Sequence, residues 1–240
     1  MSTTLGSTIR KLAIPAALVA VWLIIAVSYY GPADPLSAQE IDAYIAKVER
    51  VLAANAVMPE GVGLSADGLA GPLAELRAFA ERDDGEPVYM VNMMRWRAGQ
   101  LLAPEGAGVT GINTPQEADR AYNAGLFWTL LSNYSHTAFL AHAETNAFNY
   151  GTGAEADQWG EVGIFRYRSR RDFFEMISSQ EYSNILYLKL LSMGAIALVP
   201  TRVHGLLLNP MPNVPLVLAA IFLIGYLACL LFRVRLRTKN

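Results

Sequence analysis

The chain has 240 residues, of which 53% are hydrophobic and only 17% charged, with a net charge of −2 and one cysteine. Soluble domains average about 25% charged residues, so this composition departs from an ordinary soluble chain, and a lone Cys excludes a disulfide scaffold. All 21 acidic residues, but only 13 of the 19 basic ones, fall between positions 31 and 213, which leaves that stretch eight charges negative and a poor partner for nucleic acid.

Residues 12–30, LAIPAALVAVWLIIAVSYY, contain no charge. Nineteen such residues at about 1.5 Å each match a hydrocarbon core, so a transmembrane helix is predicted, preceded by a cytoplasmic stretch 1–11. A cleaved signal peptide stays open as the alternative, because Ala26-Val27-Ser28 has the residue types of a cleavage site. Residues 214–232, VPLVLAAIFLIGYLACLLF, form a second uncharged run, entered through the linker 205–213 with Pro210 and Pro212. Arg233, Arg235, Arg237 and Lys239 follow in the tail 233–240, and Arg10 and Lys11 precede the first run. The positive-inside rule then puts both termini in the cytoplasm. The expected localisation is an inner membrane with the acidic middle outside the cytoplasm, and the lipid bilayer as a partner.

Between the runs, residues 31–84 read as a helical extension. Ser37-Ala-Gln-Glu40 has capping-box spacing, and Ile41, Tyr44, Ile45, Val48 and Leu52 recur at the helical period. Leu73, Leu76 and Phe79 mark a shorter helix, after glycines at 61, 63, 68 and 71 that break the pattern.

Residues 85–204 read as one α+β domain. PVYMVNMMRW, 87–96, is a strand, and 98–113 is a Gly-rich loop. Thr114-Pro-Gln-Glu117 starts a helix that runs to about Asn133. Strands are expected at 135–143 and 161–168, with a connection at 149–160. Ser169 caps a helix that pauses at Ser178-Ser179 and resumes to a stop at Gly194, and a last strand covers 195–200. The order β-α-β-β-α-β is the ferredoxin-like arrangement. Its bare sheet face predicts a homodimer or a partner in a larger assembly.

The runs PVYMVNMMRWR, SHTAFLAHAE, WGEVGIFRYRSRRDFFEMISSQEY and ALVPT resemble an uncharacterised bacterial family of unknown function within the dimeric α+β barrel superfamily. The resemblance spans about 73–203, and Trp159 with Arg166-Tyr167-Arg168-Ser169-Arg170-Arg171 is its most specific part. It implies two ferredoxin-like sheets packed face to face. That superfamily contains cofactor-free monooxygenases, isomerases and haem-dependent peroxidases, so the resemblance leaves the cofactor unknown and allows haem.

Candidate chemistry is sparse. His136 and His142 lie six apart on one strand, which by the period of two puts them on one face, as a general base or a haem ligand. Asn92 interrupts an apolar strand, and Asn92, His136 and either Arg166 or Tyr167 are placed to converge on one cavity. Arg168, Arg170 and Arg171 surround a helix start, where they bind an anion or pair with Glu175 and nearby acids. No metal site is expected, and the serine-hydrolase, zincin, P-loop, CxxC and dinucleotide motifs are absent from the sequence. Two functions fit. One is a membrane-anchored binding, structural or accessory domain. The other is an enzyme acting on a small hydrophobic substrate. A membrane sensor is a weaker third, since only eight residues follow Phe232.

Overall fold

A computed structural model describes residues 3–31, 33–55, 66–99, 111–144, 159–202 and 214–237. The connections expected at 98–113 and 149–160 lie largely outside them. The chain divides into two units, one of residues 1–31 with 207–240 and one of residues 32–206.

The first unit pairs α1 (Thr3–Tyr30) with α7 (Val214–Arg237). Trp22 Nε1 donates to the Pro215 carbonyl at 2.8 Å, which satisfies the indole where the helices meet. Beside it lies an apolar cavity of about 340 Å³ lined by Leu18, Trp22, Phe222 and Tyr226, among others. The expectation of two membrane spans is corrected here. Among the described residues, no helix is long and apolar enough to cross a membrane. The inner-membrane localisation and the cytoplasmic termini rested on those spans and are withdrawn with them.

The second unit is built on one antiparallel sheet. Its strands are β1 (Val88–Trp96), β2 (His136–His142), β3 (Glu161–Tyr167) and β4 (Met193–Thr201), in the order β2-β3-β1-β4. Helices α2 (Ala38–Ala54), α3 (Ala66–Ala80), α4 (Pro115–Ser132), α5 (Arg170–Ile177) and α6 (Gln180–Ser192) complete it. Local chemistry sets the helix starts. The Ser37 and Thr114 side chains accept from the Glu40 and Glu117 backbone N–H groups, and each Glu reaches back to its cap. Ser169 starts α5 by accepting from the Asp172 N–H.

The α+β class stands, but the ferredoxin-like dimeric barrel with a membrane helix at each end is corrected to seven helices and one four-stranded antiparallel sheet among the described residues. One cause is local. Ser179 N-caps a new helix through the Tyr182 N–H, so the second crossover is two helices, α5 and α6, instead of one. Another is packing. Ile41, Ile45 and Val48 of α2 and Phe79 of α3 share one core with Val88, Met90, Phe165, Tyr167, Phe173 and Phe174. Gly68 and Gly71 lie inside or at the start of α3 and do not break it. Gly194, expected as a helix stop, is the second residue of β4, where an added Cβ would sit 3.2 Å from the Trp96 carbonyl oxygen.

Candidate functional site

Strand register sorts the sheet into two faces. On β1, Met90, Asn92 and Met94 oppose Phe165, Gly163 and Glu161 of β3 on the helix-covered face. Tyr89, Val91 and Met93 oppose Arg166, Ile164 and Val162 on the other.

A charged cluster lies under the helices at the Met94–Glu161 end. Gly125 of α4 lets α6 come close, since a Cβ there would stand 2.9 Å from Ile185 Cγ2. One turn along each antiparallel helix, that approach brings Tyr122 of α4 against Lys189 of α6, whose Nζ lies 4.8 Å from the ring centroid. Lys189 Nζ donates to Asp119 Oδ1 at 3.1 Å and also meets the Met94 sulfur. Asn123, one turn from Asp119, donates to its other oxygen at 3.0 Å. Lys189 is 4% exposed, Asp119 2% and Glu161 3%.

Burial disfavours every charge in this cluster. It pushes the Glu161 carboxyl up to about 7, and the Asp119 carboxylate adds to the rise against the pull of Lys189. Burial also moves the Lys189 ammonium below its usual range, with Asp119 opposing the shift. At neutral pH Glu161 is therefore divided between a proton donor and a proton acceptor. Its Oε1 is buried without a hydrogen-bond partner, as are Trp96 Nε1 and Asn92 Oδ1. Asn92 Oδ1 and Glu161 Oε1 belong to one sheet face, and the Trp96 ring closes the same end. That ring lies 5.4 Å from the His142 ring, and a Cβ on Gly160 would fall 2.5 Å from Trp96 Cε3. Buried polar atoms normally find partners, so this grouping suits a polar visitor.

The sequence candidates divide between the two faces. A bulge between Thr137 and Phe139 shifts the register of β2, so His136 opposes Arg166 and His142 opposes Glu161. The two histidines do not share a face. Asn92 is on the face of His142, while His136 and Arg166 are on the other, in one row with Tyr89 and Thr201. Tyr167 is core, edge-on to Phe173 at 5.1 Å, and burial drives its hydroxyl pKa upward. The expected convergence of Asn92, His136 and Arg166 or Tyr167 is thus not formed. Burial, and then the Arg166 charge, push His136 down to about 4, which keeps it neutral at pH 7. His136 is ranged beside the Arg166 guanidinium and His142 packs on Trp96.

The three arginines at the start of α5 are in ion pairs, though none with Glu175. Arg168 pairs with Asp172 at 2.8 Å, Arg170 with Asp84 at 2.9 Å, and Arg171 with Glu40 at 2.6 Å. Glu175 instead accepts from the Tyr44 hydroxyl at 3.2 Å. Among the described residues, no group of three or more His, Cys, Asp or Glu is placed to hold a metal ion.

Sequence reasoning passed over Glu161, Asp119, Asn123, Lys189 and Trp96. A signal was present for Lys189, a charge inside the apolar run Tyr187-Leu-Lys-Leu-Leu191. The spacing of Asp119 and Asn123, four apart on a helix, was another.

No family model matches the chain, and no curated protein matches it. The resemblance to a family of the dimeric α+β barrel superfamily, flanked by membrane helices, is therefore corrected. Among solved structures, a protein of unknown function from Rhodopseudomonas palustris matches 57% of this chain and 94% of its own, at 19% identity and a TM-score of 0.45. The same protein in methylated form matches 57% and 93%, at 21% identity and a TM-score of 0.45.

Proposed function

We propose that residues 32–206 form a binding domain for a small, mainly apolar molecule bearing one polar group that exchanges a hydrogen bond or a proton with Glu161. One observation carries the reading: a carboxyl only 3% exposed, beside a buried Lys–Asp pair, with one oxygen unpartnered. Met94 and Trp96 are its apolar neighbours on the same sheet face, and Asn92 Oδ1 and Trp96 Nε1 offer an acceptor and a donor. Proton transfer to or from the bound molecule is the enzymatic extension, favoured by a carboxyl poised near neutrality.

The test is a ligand-observed NMR screen of small phenols, ketones and aldehydes at pH 6 and pH 8, with wild type and Glu161→Gln side by side. Binding to wild type that changes between the two pH values, and a flat response in the variant, supports the reading. If no compound binds, or the variant keeps the same pH response, the reading is wrong.

A second copy of the chain is the proposed occupant of the opposite sheet face. There Phe139, Ile164, Val91 and Val199 form one apolar register row across all four strands, with Phe139 and Val199 more than 40% exposed. Paired Val91→Lys and Ile164→Lys substitutions should lower the mass seen by sedimentation, and an unchanged mass would count against this interface.

A further inference from the structure

We propose that Lys189 is an amine nucleophile that captures a small apolar aldehyde or ketone as an iminium, in the same site and dependent on the binding reading above. The chain favours arginine heavily, with only four lysines, Lys11, Lys47, Lys189 and Lys239, among its 19 basic residues. Arginine is the usual choice for a buried ion pair, because its planar fork is weakly hydrated and makes two bonds to a carboxylate. Arg168, Arg170 and Arg171 make the partly exposed ion pairs at the start of α5. At the pair with Asp119, where both side chains are nearly fully buried, the residue is instead lysine, which unlike arginine can give up its proton and become a nucleophile.

The surroundings supply the remaining parts. Asp119 Oδ1 lies 3.1 Å from Nζ, within reach of its proton, and Asn123 holds the other oxygen of that carboxylate. Burial disfavours the ammonium, while the Tyr122 ring and the Met94 sulfur, both of which attract it, hold Nζ in place between α4 and β1. Glu161 brings a protonatable carboxyl with an unpartnered oxygen to the same cluster. His142, its cross-strand partner, is exposed, so the cluster lies one residue from the surface of the edge strand.

The steps balance. Nζ gives one proton to Asp119. Its lone pair forms the C–N bond while the carbonyl π pair moves to oxygen, which takes the Glu161 proton. The nitrogen then returns a proton to Glu161. Glu161 passes that proton to the carbinol hydroxyl, which leaves as water as the nitrogen lone pair forms C=N. The products are a Lys189 iminium, protonated Asp119, ionised Glu161 and one water, with no change in oxidation state.

Benzaldehyde with sodium cyanoborohydride tests this on the full chain, since hydride reduces the C=N bond to a stable benzylamine. Intact mass and peptide mapping should find one adduct, at Lys189, formed ahead of those at Lys11, Lys47, Lys239 and the amino terminus. Glu161→Gln should slow it by roughly tenfold or more, the lower range for loss of a general acid. Lys189→Arg keeps the charge and should remove the adduct. Should that variant misfold, the wild-type site preference and the Glu161→Gln rate still decide the matter. Labelling that leaves Lys189 untouched in native wild type overturns the proposal. If the NMR screen nevertheless shows pH-dependent binding, the binding domain survives without the amine chemistry; if both fail, both readings fall.

Discussion

Replacing Glu161 by Gln should make the protein relatively more stable in mild alkali than in mild acid, compared with wild type. The reason is linkage. A carboxyl whose pKa is raised on folding favours the folded state below its unfolded pKa, and that contribution is lost as pH rises through the folded value. For Glu161 the window runs from 4.5 to about 7. At about 1.4 kcal/mol per pH unit, the full loss is about 3 kcal/mol, most of it between pH 5 and pH 8. Gln keeps the shape and has no charge to form, so the variant escapes the loss. His136 works in the opposite sense. Its pKa is depressed to about 4, so its stabilisation is lost as pH falls from about 6.5 through 4. The quantity to measure is therefore the wild-type-minus-variant difference, in which His136 cancels. Urea unfolding followed by tryptophan fluorescence at intervals from pH 5 to pH 8 gives it. A difference that grows in favour of the variant by about 2–3 kcal/mol is expected. A difference flat within about 0.5 kcal/mol across that range would show that Glu161 is ionised in the fold throughout, and the buried-carboxyl argument would fail.

Other substitutions probe separate parts of the structure. Asp119→Ala leaves Lys189 buried opposite no aspartate and should cost about 3–5 kcal/mol in chemical unfolding, whereas Asp119→Leu with Lys189→Met should recover most of that; a cost under about 1 kcal/mol for the single change would contradict the buried pairing. Gly85 has φ +75°, and a Cβ on it would fall 2.0 Å from the Ala33 carbonyl oxygen, so Gly85→Ala should lower the unfolding free energy measured in urea by at least about 1–2 kcal/mol. Arg171→Ala should let the Glu40 carboxyl, held down to about 2 chiefly by its bond to Arg171, return toward 4.5 in an NMR titration, and an unmoved midpoint would assign that shift to Ser37 instead.

Most of the secondary structure was legible because its causes are local. The Ser37, Thr114 and Ser169 caps, with acidic residues three positions on, placed three helix starts to the residue. β-Forming residues bounded by glycines placed the strand Val88–Trp96, and the strand Glu161–Tyr167 was placed to within a residue. The site was not legible because its causes are not local. Glu161 matters through Asp119 and Lys189, respectively 42 and 28 positions away, and only the packing of α4 on α6 over the sheet brings them together. The period of two also failed where it was trusted most. It put His136 and His142 together, and nothing in the run Ser135-His-Thr-Ala-Phe announces a bulge. The apolar ends misled in another way, since uncharged length was equated with a span, and no helix among the described residues is long and apolar enough to cross a membrane.

The bulge in β2 behaves like a change of reading frame written in three dimensions. Thr137 faces Phe165 and Phe139 faces Ile164, so Ala138 is a supernumerary residue with no partner on β3. Upstream of it the strand is in one phase and downstream in the other, which is how seven residues serve both sides of a sheet. Deleting Ala138 would turn this stretch into a regular ladder and leave every pair in place: His136 and His142, then five apart, would still oppose Arg166 and Glu161 on opposite faces. The alanine is therefore the only thing that hides the arrangement from the sequence, because it makes a five-step separation in space count as six along the chain.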